Sequence, residues 1–326
     1  MASILAIAGL GMALVAPDVA MAGTAKANFA PASRSTDVRT GTIPAKQLFG
    51  HVKTPAPLPP QPIGFYSRGC LAGAVAMPIN GSAWQVMRLS RNRNWGMPVL
   101  VEFLKKLAID AQAQDGWPGL LIGDMSQPRG GPMLTGHASH QTGLDADIWL
   151  TPMPDHVLSR KERETMSARL MVLDRKRINP QRFTPAHARL IRRAAMNPLV
   201  QRIFVHPPIK KYLCDWSRRN GDANRAWLAK VRPYYGHNYH FHVRLRCPPG
   251  AQYCKNQGDP HPKDGTGCGA ELAYWYSDRP WVRPKPKPKF YHGIPLPRPR
   301  PKRHKPKPVL TLDKLPPRCR MVLTAR

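Results

Sequence analysis

The chain has 326 residues, a formal net charge of +31 and 42% hydrophobic residues. This length and apolar content predict a folded body, as one large domain or two small ones. The 37 prolines and 25 glycines indicate long loops and some non-globular chain. The positive charge favours an anionic partner, and the export signal described next argues against nucleic acid.

The N-terminus predicts an export signal. The apolar run from Ile4 to Val15 has the length of a signal-peptide core and is too short to span a bilayer. An Ala-Met-Ala cleavage site ends at residue 22, so we expect a signal peptide over residues 1–22. No Lys or Arg precedes the apolar run, which leaves a buried N-terminal helix or a misassigned start as alternatives.

The next two segments differ in composition. Residues 23–62 are rich in Pro, Ala, Ser and Thr, which predicts a low-complexity linker or extended arm. Residues 63–281 carry the patterns of a folded domain, with short strands and helices. The predicted strands lie within 65–78, 82–89, 120–126, 145–150, 202–206 and 239–247, and the predicted helices within 97–114, 161–176, 184–197 and 207–219.

The composition changes again after residue 281. Residues 282–309 contain ten Lys or Arg, nine Pro and no acidic residue, which predicts an extended, polyproline-II-like segment over 282–310 that buries no core. This segment is either a solvated linker or an anchor for an anionic wall polymer or lipid. Residues 311–326 form a C-terminal segment that a disulfide at Cys319 would tie back to the body.

The cysteines indicate disulfides. None forms a CxxC pair, which argues against a thiolate metal site or a thioredoxin-type motif. In an exported protein, three disulfides are the simplest account of six cysteines, and sequence alone allows 15 pairings. The six are Cys70, Cys214, Cys247, Cys254, Cys268 and Cys319.

Histidines cluster in the window YYGHNYHFHVRLRCP, which begins at Tyr234. On a strand, residues two apart point the same way. His240 and His242 therefore share one face, and Phe241 between them faces the core. His237 precedes them in a turn that contains glycine. This arrangement predicts a strand with an apolar face and a functional face.

A second window, GHASHQTGLDADIW, begins at Gly136. His140 on a loop and Asp147 on the following strand can converge with the first window. Two imidazoles and a carboxylate form a zinc shell that leaves a fourth position for water, and a further imidazole can act as acid, base or transition-state donor. Asp145 is either an orienting partner of a ligand histidine or a turn residue. Either window alone is weak, and their combination carries the prediction.

Together the two windows resemble the penicillin-insensitive murein endopeptidases, which belong with the lysostaphin-type and D-Ala-D-Ala zinc metallopeptidases. The resemblance covers Phe65 to Tyr276. It implies an α+β fold, in which a small antiparallel sheet carries the zinc site and is flanked by helices and long loops stapled by disulfides. It also implies a periplasmic enzyme that cuts the D-alanyl–meso-diaminopimelate cross-link of peptidoglycan and is insensitive to β-lactams. The alternatives are a D,D-carboxypeptidase, an L,D-endopeptidase or a non-catalytic peptidoglycan-binding relative.

The resemblance also implies residue roles. His140, Asp147 and His242 would bind one zinc ion, and His240 would be the catalytic histidine. His237 would support it.

Further roles are implied around this core. His137 would line the site and approach the metal. Asp174 lies where the family places an accessory metal ligand, but the Arg and Lys residues around it put a second metal in doubt. The implied disulfides are Cys70–Cys319, Cys214–Cys268 and Cys247–Cys254. The cationic segment departs from the family pattern, so the resemblance says nothing about its role.

Overall fold

The computed structural model describes residues 43–282 and 309–326, and the backbone of two short strands between these ranges. Residues 1–42, which include the expected signal peptide, and most of the cationic segment lie outside this description. The strands in chain order are β1 (Gln61–Phe65), β2 (Arg68–Ala72), β3 (Val75–Ala76), β4 (Asn80–Gly81), β5 (Trp84–Val86), β6 (Trp95–Gly96), β7 (Leu120–Ile122), β8 (Asp145–Trp149), β9 (Val200–Val205), β10 (Val231–Pro233), β11 (His240–Leu245), β12 (Phe290–Tyr291) and β13 (Ile294–Pro295).

Helices pack around these strands. Within the described ranges, no helix combines the length and the apolar character needed to cross a membrane. The helices are α1 (Ala45–Gly50), α2 (Pro98–Asp115), α3 (Arg160–Thr165), α4 (Pro185–Met196), α5 (Pro207–Arg219), α6 (Trp227–Lys230), α7 (Ala270–Tyr276) and α8 (Arg318–Thr324), with 3-10 turns at Leu89–Arg91 and Leu312–Lys314.

A seven-stranded sheet forms the centre of the molecule, in the order β10-β9-β11-β8-β7-β5-β4. The predicted α+β class is confirmed, and the central strands β9, β11, β8 and β7 are antiparallel. The sheet is larger than expected, and its pairs β5–β7 and β9–β10 are parallel. Parallel neighbours need a crossover connection, usually helical. Here α2 lies between β5 and β7, and α5 and α6 lie between β9 and β10.

The register of β8 and β11 places the two sequence windows side by side. His242 lies opposite Asp147, and Arg244 lies opposite Asp145. The alternate residues point into the main hydrophobic core, where Phe241 is fully buried. The period-2 prediction for both strands is therefore confirmed, with one apolar face and one polar face.

One predicted helix is much shorter in the structure. The helical pattern over 161–176 gives only α3, which ends at Thr165. Beyond it, the main-chain N–H of Met171 donates to the carbonyl of Asn238 at 2.8 Å, and Val172 bridges Ile178. These tertiary backbone bonds replace the helical ones, because pairing with the loop before β11 outweighs a weak local propensity.

The first described residues also depart from the expected extended arm. Ala45 and Phe49 of α1 are fully buried, in a second apolar cluster that includes Cys70 and Cys319. The structure thus packs residues 45–49 against the C-terminal segment. Its disulfides are Cys70–Cys319, Cys214–Cys268 and Cys247–Cys254, the pairing that the resemblance implies.

Candidate metal centre

Three donor atoms converge on the polar face of the central strands. The Nε2 atom of His140 lies 3.1 Å from Nδ1 of His242, and Oδ1 of Asp147 lies 3.5 Å from the first and 3.2 Å from the second. Donors bound tetrahedrally at about 2.0–2.1 Å to one metal ion are spaced about 3.3 Å apart. The three measured distances match that spacing.

The main chain fixes the orientation of His140. Its Nδ1 atom lies 2.8 Å from the carbonyl oxygen of Met125, which can only accept a hydrogen bond. Nδ1 therefore carries the proton, and Nε2 presents its lone pair to the cluster. The residue has a positive φ of 67°, a conformation that non-glycine residues rarely adopt. The ring is thus held in place by a constrained backbone and a committed tautomer.

A buried carboxylate fixes His242. Oδ1 of Asp145 accepts from Nε2 of His242 at 2.8 Å and from Nε of Arg244 at 2.7 Å. Its other oxygen accepts from the main-chain N–H of His140 at 3.1 Å. Asp145 therefore orients both His140 and His242, as the first of the two readings that the sequence leaves open expects. The lone pair of His242 Nδ1 then faces the cluster.

A cation would stabilise the cluster. Oδ1 of Asp147 is buried and has no hydrogen-bond partner among the described residues. Burial raises the pKa of this carboxyl, but His240 and His140 outweigh burial and hold it well below the usual range. Three electron-rich atoms at these distances repel one another unless a cation lies between them. Two nitrogens and one oxygen are a donor set that fits a divalent transition metal.

A proton competes with the metal for the same atoms. Burial lowers the pKa of His242, but the neighbouring Asp145 and Asp147 raise it by more. The net effect is a raised pKa. Metal ligands must be deprotonated to bind, so metal affinity at this site falls as the pH drops.

His137 lies at the edge of the cluster. Its Nδ1 atom is 3.5 Å from Oδ2 of Asp147. One donor atom each from His137, His140 and Asp147 lie within 4.8 Å of one another. Its Nε2 atom bonds Oδ2 of Asp124 at 3.0 Å. His137 therefore links the donor cluster, through Asp147, to the buried carboxylate of Asp124.

Asp124 is a further residue of the site that the sequence patterns did not predict. This residue follows β7 and is 5% exposed. Burial raises the pKa of its carboxyl, but His137, Arg91 and Arg93 outweigh burial and lower the pKa well below its usual range. The available signal was an aspartate at the end of a buried strand. That signal becomes specific only once β7 is known to neighbour β8.

Two further histidines stand beside the metal ligands. Nε2 of His240 is 3.6 Å from Oδ1 of Asp147. The Nδ1 atom of His240 is buried and has no hydrogen-bond partner in the described ranges. His237 has a φ of 53°, and its Nδ1 atom donates to the carbonyl of Tyr235 at 2.6 Å. The His237 and His240 rings are 5.0 Å apart. Burial lowers the pKa of His240 and lowers that of His237 to about 3, so both rings are neutral at neutral pH.

Asp174 does not join the cluster. Its carboxylate accepts from the main-chain N–H groups of Lys176 and Arg177 and pairs with the Arg177 guanidinium at 2.6 Å. These bonds form a local turn on the surface. The structure therefore brings together His137, His140, Asp147, His237, His240 and His242, and leaves Asp174 apart.

A cleft of about 280 Å³ opens onto the cluster. It exposes the side of the site that faces His137, Asp147 and His240. The remaining lining residues are Arg88, Arg91, Gly123, Asp124, Trp149, Ser167, Ala168 and Tyr239.

Comparison with known proteins gives a consistent result. The family model described as penicillin-insensitive murein endopeptidase matches residues 62–324. A protein of that name from Haemophilus influenzae is 47% identical over 219 residues, covering 66% of this chain and 73% of the relative. Relatives of the same name from Klebsiella pneumoniae strain 342 and Yersinia enterocolitica are each 43% identical, covering 66% and 67% of this chain and 76% of each relative.

The role of Asp145 can be tested with the Asp145→Asn variant. We expect its metal affinity to fall roughly 10–100-fold, because the amide no longer fixes the charge and tautomer of His242. Competition against a chelating dye measures the affinity.

The matched control is Asp115→Asn, which removes another buried aspartate, one paired with Arg193. We expect this variant to melt at a lower temperature with unchanged metal affinity. Equal metal affinity in Asp145→Asn and the unmodified protein would contradict the orienting role.

Proposed function

The chain belongs to the penicillin-insensitive murein endopeptidase family, and we propose that it is a zinc-dependent enzyme that hydrolyses the D-alanyl–meso-diaminopimelate cross-link between peptidoglycan stems. The observation that carries the proposal is the convergence of three candidate metal donors beside a cleft that His240 also lines. The names of the relatives support murein as the substrate.

The donor set favours zinc. Mg²⁺ and Ca²⁺ prefer oxygen ligands, whereas two imidazoles and a carboxylate are the protein ligands of several catalytic zinc sites. In this proposal His140, Asp147 and His242 hold the ion, and the cleft leaves a further position open. A bound zinc ion supplies Lewis acidity, which lowers the pKa of water to about 7 and polarises a carbonyl.

His240 is the proposed catalytic histidine. The ring lines the cleft, and as a neutral imidazole it can accept one proton and later deliver it to the leaving amine. Once protonated, the ring can also stabilise the developing oxyanion. His237 supports it from 5.0 Å away, with a tautomer fixed by the Tyr235 carbonyl.

His137 is the proposed site-lining histidine and a candidate additional ligand. Asp124 and Asp147 hold its two ring nitrogens, at 3.0 Å and 3.5 Å. This bridge limits rotation of the ring, so His137 keeps a fixed distance from the cluster. One metal site accounts for this geometry, and Asp174 lacks the contacts of a second one.

We also propose that the enzyme acts in the periplasm. Three disulfides fit an oxidising compartment, and the substrate lies outside the inner membrane. The expected signal peptide over residues 1–22 agrees with this location.

The alternatives differ in the bond cleaved. A D,D-carboxypeptidase removes a terminal residue, and an L,D-endopeptidase cuts a different linkage of the same stem. A non-catalytic peptidoglycan-binding relative is disfavoured by the complete set of donors at His140, Asp147 and His242.

Digestion of purified cross-linked muropeptide dimers tests the proposal. We expect the metal-loaded protein to convert dimers into monomers, with the new ends at D-alanine and diaminopimelate identified by mass. The reaction should stop with a chelator or in His242→Ala and continue with a β-lactam. His240→Ala should retain metal and lose roughly 10²–10⁴-fold in kcat. Release of terminal D-alanine from monomers, with dimers left intact, would indicate the carboxypeptidase instead.

The cationic segment over 282–310 carries a separate proposal. Its ten Lys and Arg residues hold the enzyme on anionic wall polymer or lipid. Replacing all ten by Gln keeps the segment length and should weaken binding to isolated sacculi at low salt, while cleavage of soluble dimers stays unchanged. Equal sedimentation with sacculi at low and high salt for both proteins would favour a solvated linker.

A further inference from the structure

The two arginines that line the cleft, Arg88 and Arg91, differ in how many of their hydrogen-bond donors are free to bind a substrate. Arg88 is already engaged with the protein, because its guanidinium donates to the carbonyls of Arg163 at 2.9 Å, of Met166 at 2.8 Å and of Glu164. It also stacks over the Trp149 ring at 5.3 Å. Arg88 thus serves the structure of the cleft wall.

Arg91 is different. Among the described residues, its guanidinium makes one hydrogen bond, from Nη1 to Oδ2 of Asp124 at 3.1 Å. That oxygen also accepts from Arg93 at 2.8 Å and from His137 at 3.0 Å. The Arg93 side chain is 10% exposed and that of Arg91 is 48% exposed. Arg93 and His137 therefore suffice to hold Asp124, and most of the five N–H donors of Arg91 remain available at the cleft.

The backbone around Arg91 is unusual as well. Arg91 ends a 3-10 turn whose flanking residues, Arg88 and Asn92, have positive φ values of 56° and 52°. Among the described residues, the other non-glycine residues with positive φ are His140 and His237, both in the site. Such conformations cost energy and concentrate at functional sites.

Specific contacts hold this turn in place. The main-chain N–H and the hydroxyl of Ser90 both donate to the Glu164 carboxylate, each at 2.8 Å. The side-chain amide of Asn92 donates to the carbonyl of Lys53 at 3.1 Å and accepts from the Trp95 indole at 2.7 Å. The turn is therefore a built element that presents Arg91 at the edge of the cleft.

We propose that Arg91 binds a carboxylate of the peptidoglycan stem, namely the one on the D-centre of the diaminopimelate whose amine is released. This inference rests on the proposed function. In that substrate the carboxylate and the acylated amine share one carbon atom, so the carboxylate lies next to the scissile bond. A guanidinium matches a carboxylate with two parallel hydrogen bonds, so Arg91 would set the specificity for this side of the cross-link.

Two other free carboxylates of the stem share this chemistry, one on the glutamate and one at the C-terminal D-alanine. Amidation distinguishes the glutamate from the D-centre, and the C-terminal carboxylate is present in every ligand. The test compares the unmodified protein with Arg91→Gln, using three muropeptide ligands: the native stem, a stem amidated at the D-centre carboxylate, and a stem amidated at the glutamate α-carboxylate. Calorimetry gives the dissociation constants for the monomers, and digestion gives kcat/KM for the corresponding dimers.

We expect Arg91→Gln to bind the native monomer and to process the native dimer about 10–100-fold less well, the range for a charge-assisted hydrogen bond. Amidation of the D-centre should cause a similar loss in the unmodified protein and little further loss in Arg91→Gln. Amidation of the glutamate should affect both proteins equally. The control Arg218→Gln removes an exposed charge on α5 and should match the unmodified protein.

Other outcomes overturn the inference. An equal loss in Arg91→Gln on all three ligands would mean that Arg91 acts through Asp124 and His137 or binds the C-terminal carboxylate instead. Discrimination confined to the glutamate-amidated ligand would assign the other carboxylate. Monomer binding that depends on Arg91 and on the D-centre carboxylate, without cleavage of any dimer, would support the inference and reject the proposed reaction. Absence of monomer binding in the unmodified protein would reject the inference about Arg91.

Discussion

The site depends on the buried carboxylate of Asp145. This side chain is fully buried and accepts from the His242 ring, from the Arg244 guanidinium and from the main chain of His140. A carboxylate taken out of water is costly unless such donors replace its hydration. Because these donors include one group each from His140 and His242, the same hydrogen bonds stabilise the carboxylate and orient the two candidate ligands. Arg244 is secured in turn by the Tyr66 ring, 4.2 Å from its guanidinium carbon.

Sheet register delivers these groups to one face. His242 and Arg244 of β11 lie opposite Asp147 and Asp145 of β8. A slip of β11 by one residue would turn His242 and Arg244 into the apolar core, where Phe241 and its neighbours now lie. The hydrophobic face therefore specifies the register, and the register specifies the metal site. The histidines outside the strands, His140 and His237, instead rely on left-handed backbone conformations.

Alternation along two short strands was enough to predict that His240 and His242 share one face of β11, and Asp145 and Asp147 one face of β8. HFH and DAD each have polar residues two apart, and the buried residues between them fix the face. Asp124 escaped prediction because its importance comes from the pairing of β7 with β8, which local sequence does not encode. The helix expected over 161–176 failed for the same reason, since backbone bonds to the loop before β11 replaced it. The packing of Phe49 against the C-terminal segment depends on Cys319, far away in sequence.

The central claim is that two imidazoles and one carboxylate share a single metal ion. X-ray absorption spectroscopy of the zinc-loaded protein tests this claim most directly, together with the zinc content. The account predicts one zinc per chain, a first shell of nitrogen and oxygen at about 2.0–2.2 Å, and outer-shell scattering from two imidazoles. Sulfur in the first shell, a shell without imidazole scattering, or a protein that retains no zinc after loading would contradict it.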